Sequence, residues 1–90
     1  MQSKRETSVT CYCAEWCDVC GAYRDGFLAL ASRFPQAEFR WVDIEDDPPE
    51  FDVENFPTIE VAREGRTLFC GPQPPSHGVL ERLLRELLEN

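Results

Sequence analysis

Five cysteines carry the reactive chemistry of this 90-residue chain, and two of them, Cys17 and Cys20, stand in a Cys-Asp-Val-Cys run. The run follows Val9-Thr10-Cys11-Tyr12-Cys13, which reads as a strand, and precedes Ala22 to Phe34, which reads as a helix. Two intervening residues let a pair of thiols close a small disulfide ring at the first turn of a helix. There the first sulfur meets unpaired backbone N–H groups and the positive end of the helix dipole. Both favour the thiolate, the species that attacks a disulfide. In a reducing compartment a Cys-x-x-Cys pair points to redox chemistry or to metal binding rather than to a structural bridge. Cys11, Cys13, Cys17 and Cys20 also match the count of a zinc or iron–sulfur site. Only one residue separates Cys11 from Cys13, which is poor spacing for a shared metal, and thiol–disulfide chemistry at Cys17 and Cys20 would need no metal or organic cofactor.

The elements that position these thiols follow from periodicity. The first strand, about Ser8 to Cys13, is largely apolar, as expected of a strand covered on both faces. Cys11 and Cys13 read as small buried hydrophobes on opposite faces, with Cys11 turned towards the helix. Tyr23, Phe27, Leu30, Ala31 and Phe34 form one helical stripe, Gly26 marks a bend or close contact within it, and Pro35 ends it. A second strand spans Glu38 to Ile44, with Phe39, Trp41 and Asp43 on one face, and Asp46-Asp47-Pro48-Pro49 breaks the chain into a turn. Pro57–Ala62 and Thr67–Cys70 are strands joined through the polar, Gly-containing hairpin turn Arg63-Glu64-Gly65-Arg66. After the loop Gly71–Pro75, a helix starts at Ser76 or His77, with His77 a solvated cap residue. Val79, Leu80, Leu83, Leu84, Leu87 and Leu88 lie on its apolar side. The order is β-α-β, then β-β-α. It predicts an α/β fold with a four-stranded mixed sheet and helices on both faces.

Length allows one small domain, residues 8–90, behind a flexible lead-in at 1–7. The net charge of −8, with no cluster of Lys or Arg, argues against nucleic acid and anionic membrane as partners. No apolar run approaches the roughly 20 residues that cross a bilayer. The polar start, Met1 to Thr7, lacks the apolar centre of a secretory signal, so the expected location is cytoplasmic.

Three landmarks carry a resemblance. Ala14-Glu15-Trp16-Cys17-Asp18-Val19-Cys20 resembles the active-site signature of the thioredoxin family, Phe56-Pro57-Thr58-Ile59 its cis-proline segment, and Gly71 its glycine before the last helix. The similarity runs from about Val9 to Leu88. It implies a thioredoxin-like thiol–disulfide oxidoreductase that reduces protein disulfides. Cys17 would attack the substrate disulfide and Cys20 would resolve the mixed disulfide. Trp16, Phe56, Pro57, Cys70 and Gly71 would border the substrate. The implied partners are a protein disulfide and an upstream electron donor such as a thioredoxin reductase.

The departures from that family are specific. Asp18-Val19 replaces the common Gly-Pro, and a carboxylate beside Cys17 opposes thiolate formation. Cys11 stands at the family's buried-acid position and Trp41 at its lysine position. The leading strand and helix are absent, which leaves a sheet edge uncovered and suggests a monomer or weak homodimer. The alternative function is a binding module that uses the groove near Pro57 with little or no redox turnover.

Overall fold

The structure is a computed structural model that describes residues 6–14, 17–49, 51, 53 and 56–88. Strand β1 (Thr7–Cys13) starts within the expected lead-in, and helix α1 (Asp18–Ala29) follows it and continues as a 3-10 turn over Leu30–Arg33. The pre-proline position of Phe34 disfavours helical backbone, and Phe34 leaves the helix at φ −131°, ψ 67°. Then come β2 (Ala37–Asp43), β3 (Thr58–Arg63), β4 (Arg66–Pro72) and α2 (His77–Leu88). Glu64 and Gly65 join β3 to β4 with φ of 53° and 81°. That hand of turn matches the twist of the flanking strands.

The sheet order is β2-β1-β3-β4. β1 runs parallel to β2, in a register that pairs Cys11 with Trp41 and Cys13 with Asp43. β1 runs antiparallel to β3, and β3 to β4. The parallel pair needs a crossover, which α1 supplies, and the antiparallel pair needs only the hairpin. The sheet is mixed for that reason. Among the described residues no helix is long and apolar enough to cross a membrane.

The core lies on one face of the sheet. Val9, Cys11 and Cys13 of β1 and Ile59 and Val61 of β3 are buried there. Cys20, Tyr23 and Phe27 of α1, and Leu80, Leu84 and Leu88 of α2, join the same cluster. The expectation of helices on both faces is therefore corrected: α1 and α2 share a face. His77 of α2 stacks on Tyr23 of α1 with ring centroids 4.7 Å apart, and Arg33 pairs with Glu81 at 3.1 Å. The physical reason is that the sheet has only one apolar face. The other carries Thr10, Tyr12, Arg40 and Glu60, and Tyr12 donates to Glu60 Oε1 at 2.9 Å. Pro48, Pro49 and Phe51 line a cleft over that face, with Phe51 edge-on to Tyr12 at 5.2 Å. Two leucine-rich or aromatic stripes both had to find the single apolar surface, each buried large side chain contributing about 1.5–3 kcal/mol.

Candidate active site

Residues two apart on a strand share a face. Cys11 and Cys13 consequently both point into the core, and their sulfurs lie 3.8 Å apart. This corrects the expectation that put them on opposite faces. Cys13 is the last residue of β1 and the nearer of the two to α1. Ile44 N–H donates to its carbonyl at 2.9 Å, holding the strand end to β2.

The chain then turns through Ala14, and Cys17 N–H donates to Ala14 O at 3.0 Å. That bond delivers Cys17 to the N-cap of α1, with extended backbone at φ −92°, ψ 115°. Cys17 is half-buried and its thiol is free. Its carbonyl receives the first helical bond, from Gly21 N–H at 3.2 Å. α1 begins at Asp18, four residues earlier than the expected start at Ala22, so Cys20 lies inside the first turn.

Cys20 is bonded to Cys13, not to Cys17. Their Cα atoms are 5.8 Å apart, within the usual disulfide span of roughly 4.4–6.8 Å. Cys13 is 1% exposed and Cys20 2%, so the bond is buried while Cys17 is not. The sequence signal for Cys13 was its two-residue spacing from Cys11, which sets both sulfurs on the helix side of β1. Beside the bond, Cys13, Cys20, Arg24, Trp41, Asp43 and Asp46 line a cleft of about 550 Å³. It opens at the carboxyl ends of the parallel strands β1 and β2, where ligands of open α/β sheets bind. Asp43 Oδ1 accepts the Glu45 N–H at 2.9 Å, which turns the chain away after β2. Cys11 stays a free thiol, and burial pushes it up to about 12.

The other expected site residues fall in different places. Trp16 lies outside the described residues. The Phe56–Pro57 peptide is cis, and Pro57 is fully buried. Tyr12 pairs with Thr58, and one further step in that register sets Pro57 opposite Cys13. Pro57 O accepts Gln73 N–H at 3.0 Å, and Gly71 pairs with Ile59. Cys70 does not converge on this site. It is exposed and pairs with Glu60, whose side chain meets Tyr12 on the face opposite the core. The little burial it has, and the Glu60 charge, push its thiol up. Among the described residues, no group of three or more His, Cys, Asp or Glu is arranged to hold a metal ion.

Solved structures share this arrangement of strands, helices and junction. Fasciola hepatica thioredoxin superimposes with a TM-score of 0.80 at 23% identity, covering 94% of this chain and 83% of that one. The germline-specific thioredoxin Deadhead of Drosophila melanogaster gives 0.83 at 19% identity, covering 96% and 84%. Thioredoxin from Trypanosoma brucei brucei gives 0.81 at 24%, covering 97% and 80%. The chain has a thioredoxin fold. No family model matches the sequence, and no curated protein matches it. The thioredoxin fold accounts for the crossover β1-α1-β2 and for the hairpin closed by α2. It does not by itself assign the bond between the last residue of β1 and the first turn of α1.

Proposed function

We propose that the chain is a thiol–disulfide oxidoreductase that reduces protein disulfides. One observation supports this above all: a buried disulfide and a half-exposed free thiol meet at the N-terminus of α1. A free thiol at a helix N-terminus next to an exchangeable sulfur is the apparatus of thiol–disulfide exchange.

In the reduced protein, the Cys17 thiolate attacks one sulfur of the substrate disulfide. A Cys17–substrate bond forms, the substrate bond breaks, and one substrate thiolate leaves and takes a proton. The Cys20 thiolate then attacks Cys17 Sγ and releases the second substrate thiolate. Two electrons have passed to the substrate, and the protein holds one disulfide. An upstream dithiol donor, such as a thioredoxin reductase, returns the protein to its dithiol state. Trp16, Phe56, Pro57 and Gly71 border the substrate in this reading, and Cys70 is left out because its side chain faces away. Three free cysteines beside a single disulfide fit a reducing, cytoplasmic compartment. β2 is an edge strand of the sheet among the described residues, which fits a monomer or a weak homodimer.

The test is insulin reduction with dithiothreitol as donor. The wild-type chain should accelerate the reaction at least about tenfold, Cys17→Ser should lose that acceleration, and Cys20→Ser should accumulate a Cys17 mixed disulfide. A folded wild-type protein that adds nothing to the rate of dithiothreitol alone would sink the reading.

A further inference from the structure

We propose that Cys13 is a third redox residue: after the substrate leaves, it takes Cys20 from Cys17 and returns Cys17 to a free thiol. The proposal rests on the oxidoreductase reading above and deepens it.

Cys20 has two neighbours able to bond it. Cys17 precedes it by three residues around the first turn of α1, a spacing that places side chains on one helix face. Cys13 reaches it from the end of β1 and is bonded to it, with no backbone displacement needed to bring the two Cα atoms within range. Cys20 therefore exchanges partners without leaving its place in the core.

The step balances as an internal exchange. The Cys13 thiolate attacks Cys20 Sγ, the Cys13–Cys20 bond forms, the Cys17–Cys20 bond breaks, and Cys17 departs as a thiolate. The proton that Cys13 gives up ends on Cys17. No electrons enter or leave the protein, so no further oxidant is required.

Burial sets the direction. Of the three sulfurs, those of Cys13 and Cys20 are enclosed and that of Cys17 is half-exposed. A sulfur left out of the bond must be a thiol or thiolate, and water and the N-terminus of α1 solvate that group far better at Cys17 than in the core. Cys11, 3.8 Å from Cys13, illustrates the cost of a free thiolate at that depth, since burial alone pushes it up to about 12. For the same reason Cys11 stays protonated and takes no part. The resting oxidised protein is thus an enclosed Cys13–Cys20 bond under a free Cys17. Recycling runs the exchange backwards: Cys17 attacks Cys20 and carries the bond to the surface, where a donor reaches it.

The test is a disulfide map of the full chain, oxidised with diamide, quenched in acid and blocked with N-ethylmaleimide. A protease cutting after acidic residues cleaves after Glu15 and Asp18, which puts Cys13, Cys17 and Cys20 on three separate peptides. The expected product links the Cys13 and Cys20 peptides, with fragmentation placing the bond on Cys13 and a maleimide on Cys11 of the shared peptide, and leaves Cys17 carrying the maleimide. In oxidised Cys13→Ser the bond should stay at Cys17–Cys20, and native alkylation at Cys17 should drop at least about tenfold. A wild-type Cys17–Cys20 link, with Cys13 alkylated after unfolding, overturns the relay. Insulin turnover reports separately on the oxidoreductase reading. A chain that turns over but links Cys17 to Cys20 loses only the relay, and one that links Cys13 to Cys20 without turnover loses both. The wild-type map needs no variant, so a Cys13→Ser protein that failed to fold would not shield the proposal.

Discussion

The imidazole of His77 fills the space that a side chain at Gly26 would need. His77 opens α2 and Gly26 lies in the middle of α1, so this contact sets how closely the two helices approach on the core face. His77 Nε2 lies 2.9 Å from Tyr23 O, and because a carbonyl oxygen only accepts, that nitrogen carries the proton. The sequence assigns His77 to a solvated cap, but its ring packs on Tyr23 instead. Gly26→Ala should therefore destabilise the protein. Overpacking costs about 1–3 kcal/mol, and the gain in helix propensity returns about 1. In a His77→Ala background the obstruction is gone, and the same Gly26→Ala change should stabilise. Thermal melts of the two single variants and the double variant check this, and the same sign in both backgrounds would refute the contact.

The Cys13–Cys20 bond closes a loop with a sequence separation of seven. In the chain-entropy model a loop of that size is worth about 2–3 kcal/mol, through the denatured state. Oxidised wild-type protein should therefore resist urea more than the reduced protein by roughly that amount. Cys13→Ser, left with the smaller Cys17–Cys20 ring, should show a smaller difference, about 2 kcal/mol on the same model. Paired urea titrations with and without reductant measure both.

If Cys17 carries the enclosed bond to the surface, reduction by a protein donor should depend on Cys17 and reduction by a small molecule should not. A small reductant such as tris(2-carboxyethyl)phosphine should reduce the bond in Cys17→Ser at a rate within about tenfold of wild type. A protein dithiol should be slowed in the same variant by about a hundredfold or more, because it cannot enter the cleft. Stopped-flow reduction with each donor distinguishes the two, and equal slowing by both would count against access through Cys17.

Cys11 predicts an alkaline loss of stability. Its thiol is raised by burial to about 12 from an ordinary value of 9.0. Below about pH 9 both folded and unfolded chains hold the proton, and this thiol adds no pH dependence. Between there and about 12 the unfolded chain ionises first, so unfolding releases a proton and stability falls as pH rises. Tyr12 and Tyr23 are also raised, chiefly by burial, and add to the slope in every variant that keeps them. Cys11→Ala should flatten the fall by up to about 1 kcal/mol per pH unit. Urea titrations from pH 8 to 11 read that difference directly.

Much of the architecture is legible in the sequence. Strand ends agree to within a residue or two, because apolar alternation and the Arg63–Arg66 turn are local signals. The helix stripe of Tyr23, Phe27, Leu30 and Phe34 is likewise local, and all four are buried. The start of α1 was less legible, since Asp18 and Val19 are exposed and carry no periodic mark. The shared face of α1 and α2 was not legible at all. An apolar stripe says that a helix must be covered, and says nothing about which side of a sheet will cover it.

By itself, then, the sequence determined the order of elements, the apolar face of each, and the thiol pair at a strand-to-helix junction. These depend on the spacing of residues a few positions apart, where backbone geometry alone sets the neighbours. Only the tertiary structure decided that both helices share one face, that Cys70 faces away, and that Cys20 bonds Cys13 rather than Cys17. Each of those outcomes depends on how two elements dock, and docking is governed by the one apolar surface they compete for. The partner of Cys20 was settled when burying α1 brought its first turn against the end of β1.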